Sequence, residues 1–168
     1  MRVYVPSSPR GVAQALAAGR FPAGQAFGVT PGLRALDPES DEEEHEFLAS
    51  MLAADASLVQ QTEHEAEPAD PLRRVVVAVD VPDDEVAVVD DATGELQVAV
   101  ELPLPWVAAV HVDDAAAEAV VRQALLDGEL DPLDDLALAW FDPTELPMLV
   151  HDWGLGPGPT QEPGISPR

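Results

Sequence analysis

The sequence predicts an α+β domain: a two-layer sandwich of one mixed β-sheet and about three main helices. Three observations carry this. Short β-rich segments alternate with amphipathic ones. Four strands run directly into a helix-capping residue, as βαβ-type crossovers do. Between them lies one stretch, "DEVAVVDDATGELQVAV", that reads as a central hairpin. The length of 168 residues suits a single domain, over 1–153, followed by a tail over 154–168.

"RVYVP" alternates and is β-rich, so it opens the chain as a strand. Ser7 or Ser8 then caps a helix with Pro9 in its first turn. Val12, Ala15 and Leu16 share a face of that helix, and Gly19 ends it. "AFGV" is a short strand, and Thr30-Pro31 repeats the cap-and-proline pattern to start a helix through Leu36. In "SDEEEHEFLASMLAADASLVQQ", Ser40 and Glu43 match a capping box. Phe47, Leu48, Met51, Leu52, Leu58 and Val59 there form an apolar stripe. Asp55 falls inside the stripe and predicts either a break or a partly wet position, with pairing to a buried arginine as the alternative.

Residues 61–71 are polar and acidic and read as a mobile loop. "RRVVVAVDVP" is apolar at nearly every position, which predicts a strand buried on both faces. The hairpin follows, with its turn at Asp90–Gly94 and Gly94 suited to positive φ. "WVAAVHVDD" is a strand. The helix after it turns Ala117, Val120, Val121, Ala124 and Leu125 inward and stops at Gly128. "LALAWFD" is the last strand, and Asp142-Pro143 with Glu145 starts another helix, which Pro147 complicates. The tail "GLGPGPTQEPGISPR" is rich in Gly and Pro, so disorder is expected from about Gly154.

The net charge of −24 disfavours nucleic acid and anionic membranes and fits a solvated surface. Lys and Asn are absent and Ile occurs once, which also suits a GC-rich coding sequence. No cysteine is present, so disulfides, thiolate metal sites and a cysteine nucleophile are excluded. The absence of lysine removes Walker A and Schiff-base chemistry. No apolar run has the roughly 18–20 residues that span a bilayer. The N-terminus lacks a signal-peptide h-region, so a cytoplasmic location is expected.

If the four crossovers leave their strands parallel, their junctions line one rim, where ligands of open α/β sheets bind. Ser7, Ser8, Arg10, Thr30, His111, Asp113, Asp114 and Asp142 are the candidates there. Each also has a structural use, since Ser, Thr and Asp at such places satisfy loose helix N–H groups. His111 stands on the same strand side as Val107 and Ala109 and reads as half-buried. His45, His64 and His151 are scattered in acidic segments, and no spacing matches a metal signature. No catalytic residue, cofactor or metal is therefore assigned.

"MRVYVP", "AFGVTPGLR", "RRVVVAVDVPDD", "VAAVHVDDAAA" and "LAWFDPTEL" together resemble an uncharacterised family of small acidic proteins from high-GC Gram-positive bacteria. The resemblance covers Met1 to Trp153. It implies a bacterial, cytoplasmic protein and a shared fold, and carries no activity.

The expectation is a non-enzymatic binding or protein-interaction domain with an unidentified protein partner, a basic one if the charge is used. Two other classes compete with it. One is a small carboxylate-dependent hydrolase or transferase at the rim, which requires His111 to converge with at least two of Asp113, Asp114 and Asp142. The other is an acidic decoy for a basic nucleic-acid-binding protein, using Asp37–Asp70, where twelve carboxylates stand without one Lys or Arg.

Overall fold

Nine strands and five helices form within residues 1–63 and 70–156, the part of the chain that the computed structural model describes. In order they are β1 (Arg2–Ser7), α1 (Pro9–Ala18), β2 (Arg20–Phe21), β3 (Gly24–Phe27), α2 (Pro31–Leu36), α3 (Glu42–Glu63) and β4 (Val75–Asp80). There follow β5 (Val86–Asp90), β6 (Glu95–Val98), β7 (Leu102–Pro103), β8 (Val107–Val112), α4 (Ala117–Asp127), β9 (Ala139–Phe141) and α5 (Leu146–Asp152). The α+β class holds. Seven strands make one open sheet in the order β5-β6-β3-β1-β4-β8-β9, and β2 pairs with β7 apart from it.

Each of the pairings is antiparallel, so the mixed sheet expected from the crossovers does not form. The reason lies in where each chain return lands. After α1 the chain passes through β2 and re-enters as β3, beside β1 and antiparallel to it. After α4 it re-enters as β9, beside β8 and antiparallel to it. The hairpin β5–β6 is central in the sequence but lies at one end of the sheet.

Helices cover both faces, giving three layers where the sequence suggests two. Val75 to Val79 are all buried, as the continuous apolar run predicts, and such a strand needs cover on each side. On one face Val3, Val5, Val75, Val77 and Val79 pack with Val12 and Ala15 of α1 and Leu149, Val150 and Trp153 at α5. On the other, Tyr4, Val76, Ala78 and Ala109 pack with Ala49, Ala53 and Ala54 of α3. A third cluster joins Leu58 of α3 to Val121, Ala124 and Leu133.

Local signals place the helix ends. The Ser8 hydroxyl accepts from the Gly11 N–H at 2.9 Å, and that of Thr30 from the Leu33 N–H at 3.2 Å. Gly19 takes φ +79° where α1 stops. The capping box of α3 sits one residue later than Ser40 and Glu43 suggest. The Asp41 carboxylate accepts from the Glu44 N–H, and Glu44 returns the bond to the Asp41 N–H, both at 2.9 Å. Pro147 fits α5 because it occupies the first turn, where no N–H donor is needed.

Gly154 and Leu155 donate backbone hydrogen bonds to His151 and Val150, and Leu155 packs on the core. The tail expectation therefore does not extend over these residues; 157–168 lie outside the described residues, as do 64–69 of the acidic loop.

Helix α3 is continuous through Asp55, so the expected break is absent. One Asp55 carboxylate oxygen is buried without a hydrogen-bond partner. Burial pushes this carboxyl above its ordinary range, against a partial pull downward from the nearby Arg74 guanidinium. A raised folded pKa means the native state prefers the protonated form. The penalty is therefore full at neutral pH and disappears as pH falls through the raised value toward 3.8. Asp55→Ala is expected to raise the urea midpoint at pH 7, with about 0.5 kcal/mol from helix propensity alone. The gain is expected to shrink at pH 4, which unfolding at both pH values checks.

Candidate functional site

The antiparallel sheet divides the eight candidate residues among three places. Ser7 pairs with Val75 and Val75 with Val112, so β1 and β8 end at one rim. Ser7, Ser8, Arg10, Asp113 and Asp114 belong to that rim. Thr30 follows β3 and Asp142 follows β9, which both run the other way, so the chain carries these two away from that rim; the β8–β9 register leaves Asp142 level with Ala109. His111 lies within β8, on the sheet face that α3 partly covers.

At the first rim Asp113 is the buried counter-charge of Arg74; both side chains are 0% exposed. The guanidinium forks onto the carboxylate, with Nε to Oδ2 at 2.9 Å and Nη2 to Oδ1 at 2.8 Å. Oδ2 also accepts the Arg74 backbone N–H at 2.9 Å. The remaining Arg74 hydrogens reach the Leu133 and Leu136 carbonyls at 3.3 and 3.1 Å, tying the segment after α4 to the sheet. Both Asp113 oxygens are thus taken up by Arg74 and not by a helix end. The neighbouring Asp114 does the capping, accepting from the Ala117 N–H at 2.8 Å.

Asp142 accepts from the Thr144 N–H and hydroxyl at 2.9 and 2.7 Å, and these bonds hold its pKa below the usual carboxylate range. The Thr30 hydroxyl donates to the Asp91 carbonyl at 2.6 Å. Among the described residues Asp113, Asp114 and Asp142 are thus bonded to Arg74, Ala117 and Thr144, and none of the three is hydrogen-bonded to His111, with which the enzyme reading requires them to converge. Among the described residues, no three His, Asp or Glu side chains are grouped to hold a metal ion. His45, expected in an exposed segment, is buried, with Nε2 2.9 Å from the Asp37 carbonyl.

Ser7, Ser8 and Arg10 border a cavity of about 630 Å³ with Gln14, Phe21 and Gln61. Three of its polar groups serve the fold. Ser8 caps α1, Arg10 is forked onto Asp70, and Gln61 bonds the Ser57 and Arg73 carbonyls.

A second concavity, about 460 Å³, lies between α3 and the β8–β9 edge. Its floor includes Ala78, Ala109 and His111, small enough at two positions to leave depth. Glu43, Glu46, Phe47 and Met51 of α3 form one side; Leu138 and Trp140 stand on the other. Phe47, from the apolar stripe of α3, is 63% exposed, and Trp140 of β9 is 59% exposed. Phe47 is displaced because α3 presents alanines to the sheet. Ala49, Ala53 and Ala54 allow close approach, and the larger side chains are turned to its flank.

Two ionisable groups in this groove are held uncharged. Burial, reinforced by the nearby Arg2 charge, lowers His111 below its ordinary imidazole value. Burial and the adjacent Glu46 push the Tyr4 hydroxyl up to about 12. Val107, expected on the His111 side, faces the other way: the register with β4 shifts between Ala78 and Val79, and Val107 joins the α1 face. The groove thus combines exposed aromatic surface, neutral hydrogen-bonding groups and acidic residues on one flank. Only His111 of this set was identifiable as a site candidate; an aromatic in a helical stripe reads as core.

No helix among the described residues is long and apolar enough to cross a membrane. Neither the curated proteins nor the solved structures contain a match to this chain. A family model does match, over residues 1–150, and on that match the chain belongs to DUF6912, a family of unknown function.

Proposed function

We propose that this is a non-enzymatic protein-interaction domain whose binding surface is the groove between α3 and the β8–β9 edge. The observation that carries the proposal is the pair of large, mostly exposed rings, Phe47 and Trp140, bordering one concavity. Exposed aromatics around a pocket are the usual energetic anchors of protein interfaces. The partner element presents an apolar side chain to the rings and a hydrogen-bonding group to His111. A basic residue in that element meets Glu43 or Glu46.

The engagement of Asp113, Asp114 and Asp142 by Arg74, Ala117 and Thr144 supports an interaction role over the hydrolase or transferase. The decoy reading has no comparable support, because part of its acidic segment serves the fold: Asp41 and Glu44 cap α3 and Glu42 pairs with Arg34. The test is photo-crosslinking from a benzophenone side chain at Ser50 in cell lysate. A discrete crosslinked partner is expected. Excess unlabelled parent protein competes it away; the Phe47→Ser/Trp140→Ser double variant competes at least about 30-fold less well, as loss of a 2 kcal/mol anchor requires. Equal competition by the double variant contradicts the proposal.

A further inference from the structure

The sheet has a second open end, independent of the groove. Among the described residues, strand β5 pairs with β6 alone and forms the terminal strand of the sheet. Its sequence "VAVVD" is apolar at four of five positions, and Val88 and Val89 are 57% and 60% exposed. Natural edge strands are usually blunted by Lys, Pro or an inward-pointing charge. No Lys, Pro or charge stands between Val86 and Val89; of the devices that blunt an edge, a bulge-like register shift between Val88 and Asp90 is present.

Acids bracket this edge. Asp83, Asp84 and Glu85 precede it, and Asp90 and Asp91 follow. The bracket decides which occupant fits. In a symmetric antiparallel pairing of two copies centred on Val88, Glu85 of each chain falls opposite Asp91 of the other. Val86 likewise falls opposite Asp90. Like charges directly opposite across strands are destabilising, and each copy carries a net charge of −24. That register and the net charge therefore disfavour a second copy of this chain. The edge remains open to a strand of opposite character.

We infer that β5 is a docking edge for an extended segment of another protein, added by strand pairing. The segment has β-branched or aliphatic residues at its centre and Arg or Lys at both ends. Main-chain hydrogen bonds to β5 supply affinity, the central side chains cover Val88 and Val89, and the flanking cations meet the two acidic brackets.

The probe is a short synthetic peptide of alternating valine and threonine with two arginines at each end. Its control carries glutamates instead. Amide hydrogen exchange across 86–90 and fluorescence anisotropy of labelled peptide report binding by the full chain. The arginine peptide is expected to bind and to slow exchange within 86–90 by at least about tenfold, and the glutamate peptide to do neither. Val88→Lys/Val89→Lys, both at exposed positions, is expected to lose at least about tenfold in affinity with its Tm unchanged. A second variant, Asp84→Asn/Glu85→Gln/Asp91→Asn, leaves the apolar strand intact and is expected to weaken the arginine peptide alone. The Phe47→Ser/Trp140→Ser protein is expected to bind the peptide like the parent, which separates this edge from the groove.

Three results would overturn the inference. One is equal binding of both peptides. Another is arginine-peptide binding that slows no amide within 86–90, the mark of nonspecific charge attraction. The third is dimerisation of the parent chain through β5 at moderate salt.

Discussion

Asp113→Ala is expected to destabilise the fold by about 3–5 kcal/mol, because it leaves the Arg74 guanidinium buried without its counter-ion. For a domain of this size that lowers Tm by roughly 6–20 °C. The loss has a specific physical origin. Arg74 is fully buried, and among the described residues Asp113 is the one carboxylate bonded to it. The bonds from Arg74 to the Leu133 and Leu136 carbonyls are expected to loosen with it, so exchange protection after α4 falls before the rest of the domain opens. Replacing both partners, Arg74→Met with Asp113→Leu, is expected to recover much of the loss, since removing a buried pair is far cheaper than halving it. Full recovery is not expected, because two carbonyls then lack a donor. A Tm for Asp113→Ala within 2 °C of the parent would show that Arg74 finds other compensation.

Gly94→Ala is expected to cost about 2–3 kcal/mol, and a control separates the two causes. Gly94 has φ +69°, a conformation that disfavours any side chain by about 1–2 kcal/mol. A Cβ there would also collide with the Gly28 carbonyl oxygen, a backbone atom held in place because the Gly28 N–H donates to the Gly94 carbonyl at 2.9 Å. Gly19 has a similar φ of +79° but open space where a Cβ would stand. Gly19→Ala is therefore expected to cost only the conformational part, about 1–2 kcal/mol. Urea unfolding of the two variants measures the difference. Equal losses would mean that the approach to Gly28 relaxes freely.

The sequence reveals those features whose causes are local. Ser8, Thr30 and Asp142 are readable as caps because their bonds reach only two or three residues ahead. Gly19, Gly94 and Gly128 mark turns for the same reason, each holding a positive φ. The double-sided burial of Val75–Val79 is readable from the apolar run itself. Strand direction is not local. The pattern of strand, cap and helix at β1–α1 is the same whether the next strand enters parallel or antiparallel, and the rim set depended on that choice.

The Arg74–Asp113 pair spans 39 residues, and the sequence offers many other carboxylates for the one arginine. In α3 the periodicity is half right: Leu58 is buried and Leu48 and Leu52 pack on the core, whereas Phe47 and Val59 are exposed and the alanines beside them pack on the sheet. That mismatch is also the clearest pointer to the groove. Phe47 and Trp140 are large apolar rings that folding leaves mostly outside the core.

The most direct measurement is therefore the urea unfolding of Phe47→Ser/Trp140→Ser beside the parent chain. Rings kept for a partner contribute little to the isolated fold, so the midpoint and slope are expected to agree with the parent within the equivalent of about 0.5 kcal/mol per substitution. A loss above about 2 kcal/mol would show that these rings hold α3 against the sheet, and would contradict the assignment of the groove as a binding surface.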